Sequence, residues 1–322
     1  MQAGQQKIEE INRERGKIVM KLWRDLVVTP EEEAMAREIR EGGVGKSLTE
    51  EELNACTVGE EQDLELDTRA GKCLVHLYWP QGRNREQLLP LLINIHGGGF
   101  IKGRRDQDIL FCRNLCSRSG CICLDIDYVP APDMRYPGQA WACYDVLQYC
   151  GEHGAELGAD RKRIAICGHS AGGNLAAAAI LMAIDNQTFI PALQILDYAG
   201  FDMRTPALQK RNGDSNPRIP AWKADFYNKM YVDPDQAGEV YCSPGFAADS
   251  QLAQMPPAVM IYCENDTFCD ESAEFHRRLL AQGVPVYGKR FMYSSHGFTV
   301  QRKGEYLEAE RMILAALREA LF

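Results

Sequence analysis

The sequence predicts an α/β fold in which a mostly parallel central sheet is flanked by helices and covered by a helical cap. Three observations carry the prediction. From about residue 60, short apolar runs alternate with helical stretches, the rhythm that builds parallel sheets with helices on both faces. Leu91–Ile95 and Ile164–Cys167 are short, mainly apolar runs of the kind that strands buried on both faces show. Two segments, 1–58 and 203–252, break the rhythm and are set apart as cap pieces, which leaves 59–202 and 253–322 as the α/β domain.

In the first segment Ile8, Ile11, Ile18, Leu22 and Leu26 recur at helical spacings. Thr29-Pro30-Glu31-Glu32 reads as an N-cap, a proline at the first helical position and acids in the first turn. The helix through Ala34–Ile39 stops at Gly42-Gly43, and Ser47–Asn54 forms another. A helical lid and a dimerisation arm that would make a homodimer both fit this segment.

From about residue 60 the period becomes two. Asp63–Thr68 and Lys72–Trp79 flank Arg69-Ala70-Gly71 as a hairpin with the glycine in its turn. After the polar loop Pro80–Pro90, the strand Leu91–Ile95 runs into His96-Gly97-Gly98-Gly99-Phe100. Then follow helix Asp108–Arg118, strand Cys121–Asp127, helix Gly138–Glu152, strand Arg163–Cys167, helix Ala171–Ile184 and strand Leu193–Tyr198. The 203–252 insertion is rich in proline, glycine and aromatics, including Trp222, Phe226, Tyr227, Tyr231 and Tyr241. Long insertions in compact domains are functional or disordered, and these aromatics argue for an ordered cap facing the site. The alternation resumes with strand Ala258–Cys263, helix Glu271–Gln282, strand Val286–Met292 and a closing amphipathic helix Gly304–Leu321.

A chain of 322 residues with 45% hydrophobic and 25% charged residues describes a globular protein. Its net charge of −9 argues against nucleic acid or an anionic membrane as partner, since both demand clustered cations. No apolar run approaches the roughly 20 residues that cross a bilayer. The polar start Met1–Lys7 shows no signal peptide, so the twelve cysteines are expected to be reduced, buried thiols in a cytoplasmic protein. Alternation puts Cys121 and Cys123 on one face of their strand, and no paired Cys-x-x-Cys pattern suggests a metal.

The residues with chemistry gather around Ser170. Gly168-His169-Ser170-Ala171-Gly172 lies between a strand and a helix, the setting in which a serine is raised on a strained turn as a nucleophile. Such a hydroxyl needs a base, usually a histidine oriented by a carboxylate. Of the six histidines, His96 is in the glycine loop, His169 adjoins the serine, His76 is in an early strand, and His153 and His276 are on helices. His296, in the loop after the last strand, remains. Asp266 follows the strand Ala258–Cys263 and is the expected orienting acid, with Glu264 and Asp270 as rivals; Asp270 is otherwise explained as the N-cap of the next helix. The glycine run 97–99 offers unshielded N–H groups for an oxyanion, and the N–H of Ala171 adds another. It lacks the Lys-Ser/Thr ending of a phosphate-binding loop. The chain order Ser, Asp, His is the one expected of α/β-hydrolases.

With these residues assembled, the sequence resembles the hormone-sensitive-lipase-like esterases of the α/β-hydrolase fold. The motifs are His96–Phe100, Asp127–Pro132, Gly168–Gly173, Asp266–Glu271 and His296–Phe298, in the family's order. The resemblance implies ester hydrolysis through an acyl-enzyme on Ser170, with Gly98, Gly99 and Ala171 as oxyanion donors and a cap of N-terminal helices plus an insertion. Thr267-Phe268 replaces the family's usual Pro-Leu and Tyr198-Ala199 its common Ser-Pro, and neither is expected to touch the chemistry.

The expectation is a serine carboxylesterase for small-molecule esters with short to medium acyl groups, acetyl included, that requires no metal or organic cofactor. An amidase or peptidase with the same residues, a non-catalytic small-ligand receptor and an interfacial lipase are the alternatives.

Overall fold

The computed structural model describes residues 27–42, 49, 51–52, 56–211 and 218–322. Eight strands make one sheet: β1 (Glu60–Thr68), β2 (Gly71–Trp79), β3 (Leu89–Ile95), β4 (Ile122–Asp127), β5 (Ala159–His169), β6 (Leu193–Asp197), β7 (Ala258–Asn265) and β8 (Val286–Ser295). Their spatial order is β1-β2-β4-β3-β5-β6-β7-β8. β1 and β2 form the expected antiparallel hairpin, with Thr68 opposite Gly71 across the turn. β2 joins β4 antiparallel, and every other neighbouring pair is parallel.

The helices are α1 (Pro30–Gly42), α2 (Asp106–Ser119), α3 (Gly138–His153), α4 (Ala171–Asp185), α5 (Ala221–Tyr231), α6 (Asp249–Leu252), α7 (Cys269–Ala281) and α8 (Tyr306–Leu321). Side-chain alternation along the strands assigns the layers. On β5, Ile164 and Ile166 pack with residues of α3, α4 and α7, while Ala165 and Cys167 join residues of α2 and α8 on the opposite face. Cys121 and Cys123 share that second face, as their spacing predicts. All twelve cysteines are buried free thiols. α4 is buried from Ala171 to Ile184, and its alanines let its backbone lie close to the sheet.

Two elements flank this core. α1 starts as its sequence predicts: Glu32 N–H donates to Thr29 Oγ1 at 3.3 Å, and Thr29 N–H to Glu32 Oε2 at 2.9 Å. Its Ala36 packs with Ile101, Ala131, Phe226 and Met230, and Glu32 takes the Lys229 ammonium at 2.6 Å. α1 and α5 therefore form one layer although about 180 residues separate them in sequence. The helical spacings at 8–26 and most of Ser47–Asn54 lie outside the described residues.

Candidate active site

The strand ends of a parallel sheet collect loops at one edge, and three of them converge here. Ser170 follows β5 with φ 54° and ψ −118°, a positive-φ conformation held by its own N–H donating to Asp197 O at 2.9 Å. The flanking glycines are required by close approach. A Cβ on Gly168 would stand 2.1 Å from Gly172 O, and one on Gly172 would stand 2.1 Å from Ile95 O. No side chain fits either position.

His296 follows β8 and Asp266 follows β7. His296 Nε2 is 2.8 Å from Ser170 Oγ, and His296 Nδ1 is 2.8 Å from Asp266 Oδ2. All three side chains are buried. With its proton on Nδ1 toward the carboxylate, the imidazole presents a lone pair to the serine hydroxyl. The rival acids are engaged elsewhere: Asp270 with Arg211, and Glu264 with Arg211 and Arg290. One sequence expectation is corrected. Asp270 does not cap its helix, which begins at Cys269; it lies in the first turn, and Asp266 Oδ1 instead accepts the Phe268 N–H at 3.2 Å. The same carboxylate thus meets the histidine and the helix start.

The glycine loop leaves β3 with Gly98 at φ 135° and Gly99 at φ 62°. The N–H groups of Gly98, Gly99 and Ala171 are hydrogen-bonded to no described residue. Arg105 Nη2 donates to Gly97 O at 3.0 Å and steadies the loop. A Cβ on Gly99 would fall 2.0 Å from Tyr227 Cδ2, so the α5 tyrosine lies directly over the loop.

The other histidines have structural partners. His169 Nδ1 is 2.7 Å from Asp197 Oδ2 and its Nε2 is 3.2 Å from Asn94 Oδ1. Burial penalises its charge, yet Cys167 and the facing Asp197 raise its pKa to about 10. His96 stacks on Tyr128 at 4.3 Å and lies 3.7 Å from Asp127. Burial pushes the Asp127 carboxyl up, but hydrogen bonds from His76 and His96 hold it well below the usual carboxylate range.

The two departures from the resembled family do touch the site, against expectation. The Tyr198 ring meets the His296 ring edge-on at 4.9 Å, and the Phe268 ring does so at 5.5 Å. Two apolar walls thereby confine the imidazole.

Two cavities open at Ser170. The smaller, about 20 Å³, is lined by Gly99, Ala171, Met203, Ala224, Tyr227 and Phe268 among others. The larger, about 320 Å³, is bordered by Gly97–Gly99, Ser170, His296 and Gln301, and by Lys102, Arg105, Arg218 and Lys223. None of these cations is singled out by a sequence motif, although Lys102, Arg104 and Arg105 crowd just beyond the glycine loop. Among the described residues no group of three or more His, Cys, Asp or Glu is placed to hold a metal.

Residues 92–300 match the family described as the alpha/beta hydrolase fold. The chain is 29% identical over 247 residues to an arylesterase of Saccharolobus solfataricus, covering 75% of this chain and 78% of that protein. It is 29% identical over 264 residues to an ethyl acetate hydrolase of Pseudomonas putida, covering 80% and 81%. Among solved structures, an esterase of Pyrobaculum calidifontis superposes with a TM-score of 0.80 at 26% identity, over 92% of this chain and 100% of that one.

Proposed function

From the premise that this chain belongs to the α/β-hydrolase fold family, in its hormone-sensitive-lipase-like branch, we propose that this serine carboxylesterase works through Ser170, His296 and Asp266 on short acyl esters. The observation that carries the residue assignment is the unbroken relay of two 2.8 Å contacts from Asp266 through His296 to Ser170 Oγ. His296 Nε2 takes the hydroxyl proton as Oγ attacks the ester carbonyl. The oxyanion falls to the N–H groups of Gly98, Gly99 and Ala171, and the α4 N-terminus adds its partial positive charge. His296 then gives the proton to the departing alkoxide, and repeats both steps with water to free the acid.

The small cavity supports an acetyl-sized acyl group, because about 20 Å³ is little more than one water-sized probe sphere. His296 borders only the larger cavity, and the leaving alkoxide must lie near Nε2 to be protonated, so the larger cavity receives the alcohol. The described parts of 1–58 and 203–252 form the cap: α1 and α5 pack together, and Met203, Ala224 and Tyr227 line the acyl side. Twelve buried, unpaired thiols support a cytoplasmic location. The relatives named above are ester hydrolases and lend the amidase and receptor alternatives no support.

The test is turnover of p-nitrophenyl esters from acetate to laurate by wild type and Ser170→Ala. Activity on acetate that falls steeply with chain length, and vanishes in the variant, is expected. Undiminished activity of Ser170→Ala would overturn the nucleophile, and a maximum at long chains would overturn the acyl assignment.

A further inference from the structure

Among its described lining residues the larger cavity carries charge of one sign only. Lys102, Arg105, Arg218 and Lys223 border it, Arg105 being paired with Asp108 at 3.3 Å and Arg218 having interactions of its own, and no carboxylate stands among its described lining residues, in a chain whose net charge is −9. Most partly buried cations elsewhere in the molecule are matched: Lys229 by Glu32 at 2.6 Å, Lys210 by Glu271 at 3.0 Å, Arg104 by Asp125 at 2.5 Å. Lys102 and Lys223 have no such partner among the described residues; the Lys223 ammonium meets only the face of Tyr227, at 5.8 Å. Burial, then the neighbouring positive charges of Lys223 and Arg105, lower the Lys102 pKa to about 8. Burial and Arg218 likewise lower that of Lys223. Holding two unmatched ammonium groups together in a half-enclosed space is unfavourable until an anion arrives.

We propose that the alcohol portion of the natural ester carries a carboxylate or phosphate, which Lys102 and Lys223 hold in the larger cavity while the short acyl group occupies the smaller one. This rests on the esterase reading above, and on the assignment of the leaving group to the cavity that His296 borders. Lys102 comes from the α/β domain, just past the oxyanion loop, and Lys223 from the cap. An anion between them bridges the two parts and fixes the ester carbonyl over Ser170, so the selectivity resides in kcat/KM.

The experiment compares 4-acetoxybenzoate with its neutral methyl ester, methyl 4-acetoxybenzoate, and with 4-acetoxyphenyl phosphate. Wild type, Lys102→Gln and Lys223→Gln are assayed at low and high salt, with thermal melts to establish folding. Charge-assisted contacts predict that wild type favours at least one anionic ester by about tenfold or more in kcat/KM. Whichever anionic ester is favoured identifies the group. Each substitution should cut that anionic-to-neutral ratio about tenfold, Lys102→Arg should restore most of it, and salt should reduce it. Equal rates on charged and neutral acetates would overturn the anion proposal and leave the esterase reading standing. A preference that survives both glutamine substitutions would overturn these lysines as its source. Faster cleavage of p-nitrophenyl hemisuccinate than of p-nitrophenyl acetate would place the charge on the acyl side and overturn the cavity assignment. Hydrolysis of no ester at all would overturn both readings.

Discussion

Replacing Asp266 by asparagine tests the proposed relay without changing side-chain volume. Asp266 is 1% exposed; Oδ2 faces His296 Nδ1 at 2.8 Å, and Oδ1 accepts the Phe268 N–H at 3.2 Å. That N–H acts as a fixed orienting group: it needs an acceptor, so the asparagine carbonyl takes the Oδ1 position and the amide NH2 points at His296 Nδ1. Two donors then confront one another, and the imidazole must move its proton to Nε2, the nitrogen 2.8 Å from Ser170 Oγ. A protonated Nε2 cannot accept the serine proton. The expected loss is about 10⁴-fold in kcat, or about 5.4 kcal/mol of transition-state stabilisation. Steady-state hydrolysis of p-nitrophenyl acetate at saturation measures it, with a thermal melt confirming that the variant folds. A folded Asp266→Asn enzyme within tenfold of wild type would refute the reasoning.

Three further perturbations reach other parts of the site. Gly99→Ala places a methyl 2.0 Å from Tyr227 Cδ2 on a residue at φ 62°, so kcat should fall about 10²–10³-fold through a displaced oxyanion donor, and the double variant with Tyr227→Ala should recover part of it; no recovery would show that crowding is not the cause. Asp197→Ala leaves His169 buried without its carboxylate and frees Thr299 Oγ1, which donates to Asp197 Oδ1 at 3.2 Å; chemical denaturation should show about 3–5 kcal/mol lost, and a change under about 1 kcal/mol would refute the pairing. Lys102 releases its proton near pH 8 in the folded chain and near its ordinary 10.5 in the unfolded one, so the unfolded state binds more protons across that window and stability should rise with pH there, a slope that Lys102→Met removes in pH-dependent melts. The preference for anionic esters should run the opposite way, full below about pH 7 and fading as Lys102 loses its charge above pH 8.

The α/β core and the three converging side chains were legible because each leaves a local trace. Strand alternation placed Cys121 and Cys123 on one face, and glycines 168 and 172 marked a turn whose tightness the 2.1 Å approaches explain. Histidine scarcity narrowed the base to a single loop. The acids were harder, since Asp266 and Asp270 both sit near a helix start, and only geometry separates the one whose carboxylate faces His296 from the one that faces Arg211. In the sequence Tyr198 and Phe268 read as distant from the chemistry, because a ring's reach depends on backbone direction, which at Tyr198 is a left-handed φ of 38°. The cationic cavity left only the crowding of Lys102, Arg104 and Arg105 past the glycine loop, with nothing to join it to Arg218 and Lys223. Lys102, Arg105, Arg218 and Lys223 span about 120 residues, and an overall charge of −9 is silent about the sign of the field inside one cleft.

Chemistry and selectivity draw on different sets of elements in this molecule. The α/β domain supplies Ser170, His296, Asp266 and the glycine loop, all at strand ends whose positions the sheet fixes. α5 supplies Tyr227, which borders both cavities and roofs Gly99, and Lys223, which borders only the larger one. α5 in turn is held by α1 through Phe226, Met230 and the Lys229–Glu32 pair. α1 also touches the segment beyond the glycine loop directly, Arg40 Nε donating to Ile101 O at 3.1 Å, so a change in α1 reaches the pocket both through α5 and through that segment. The cationic cleft draws on both parts, Lys102 from the loop past the glycines and Lys223 from α5, so what it accepts depends on how α5 is seated over the relay.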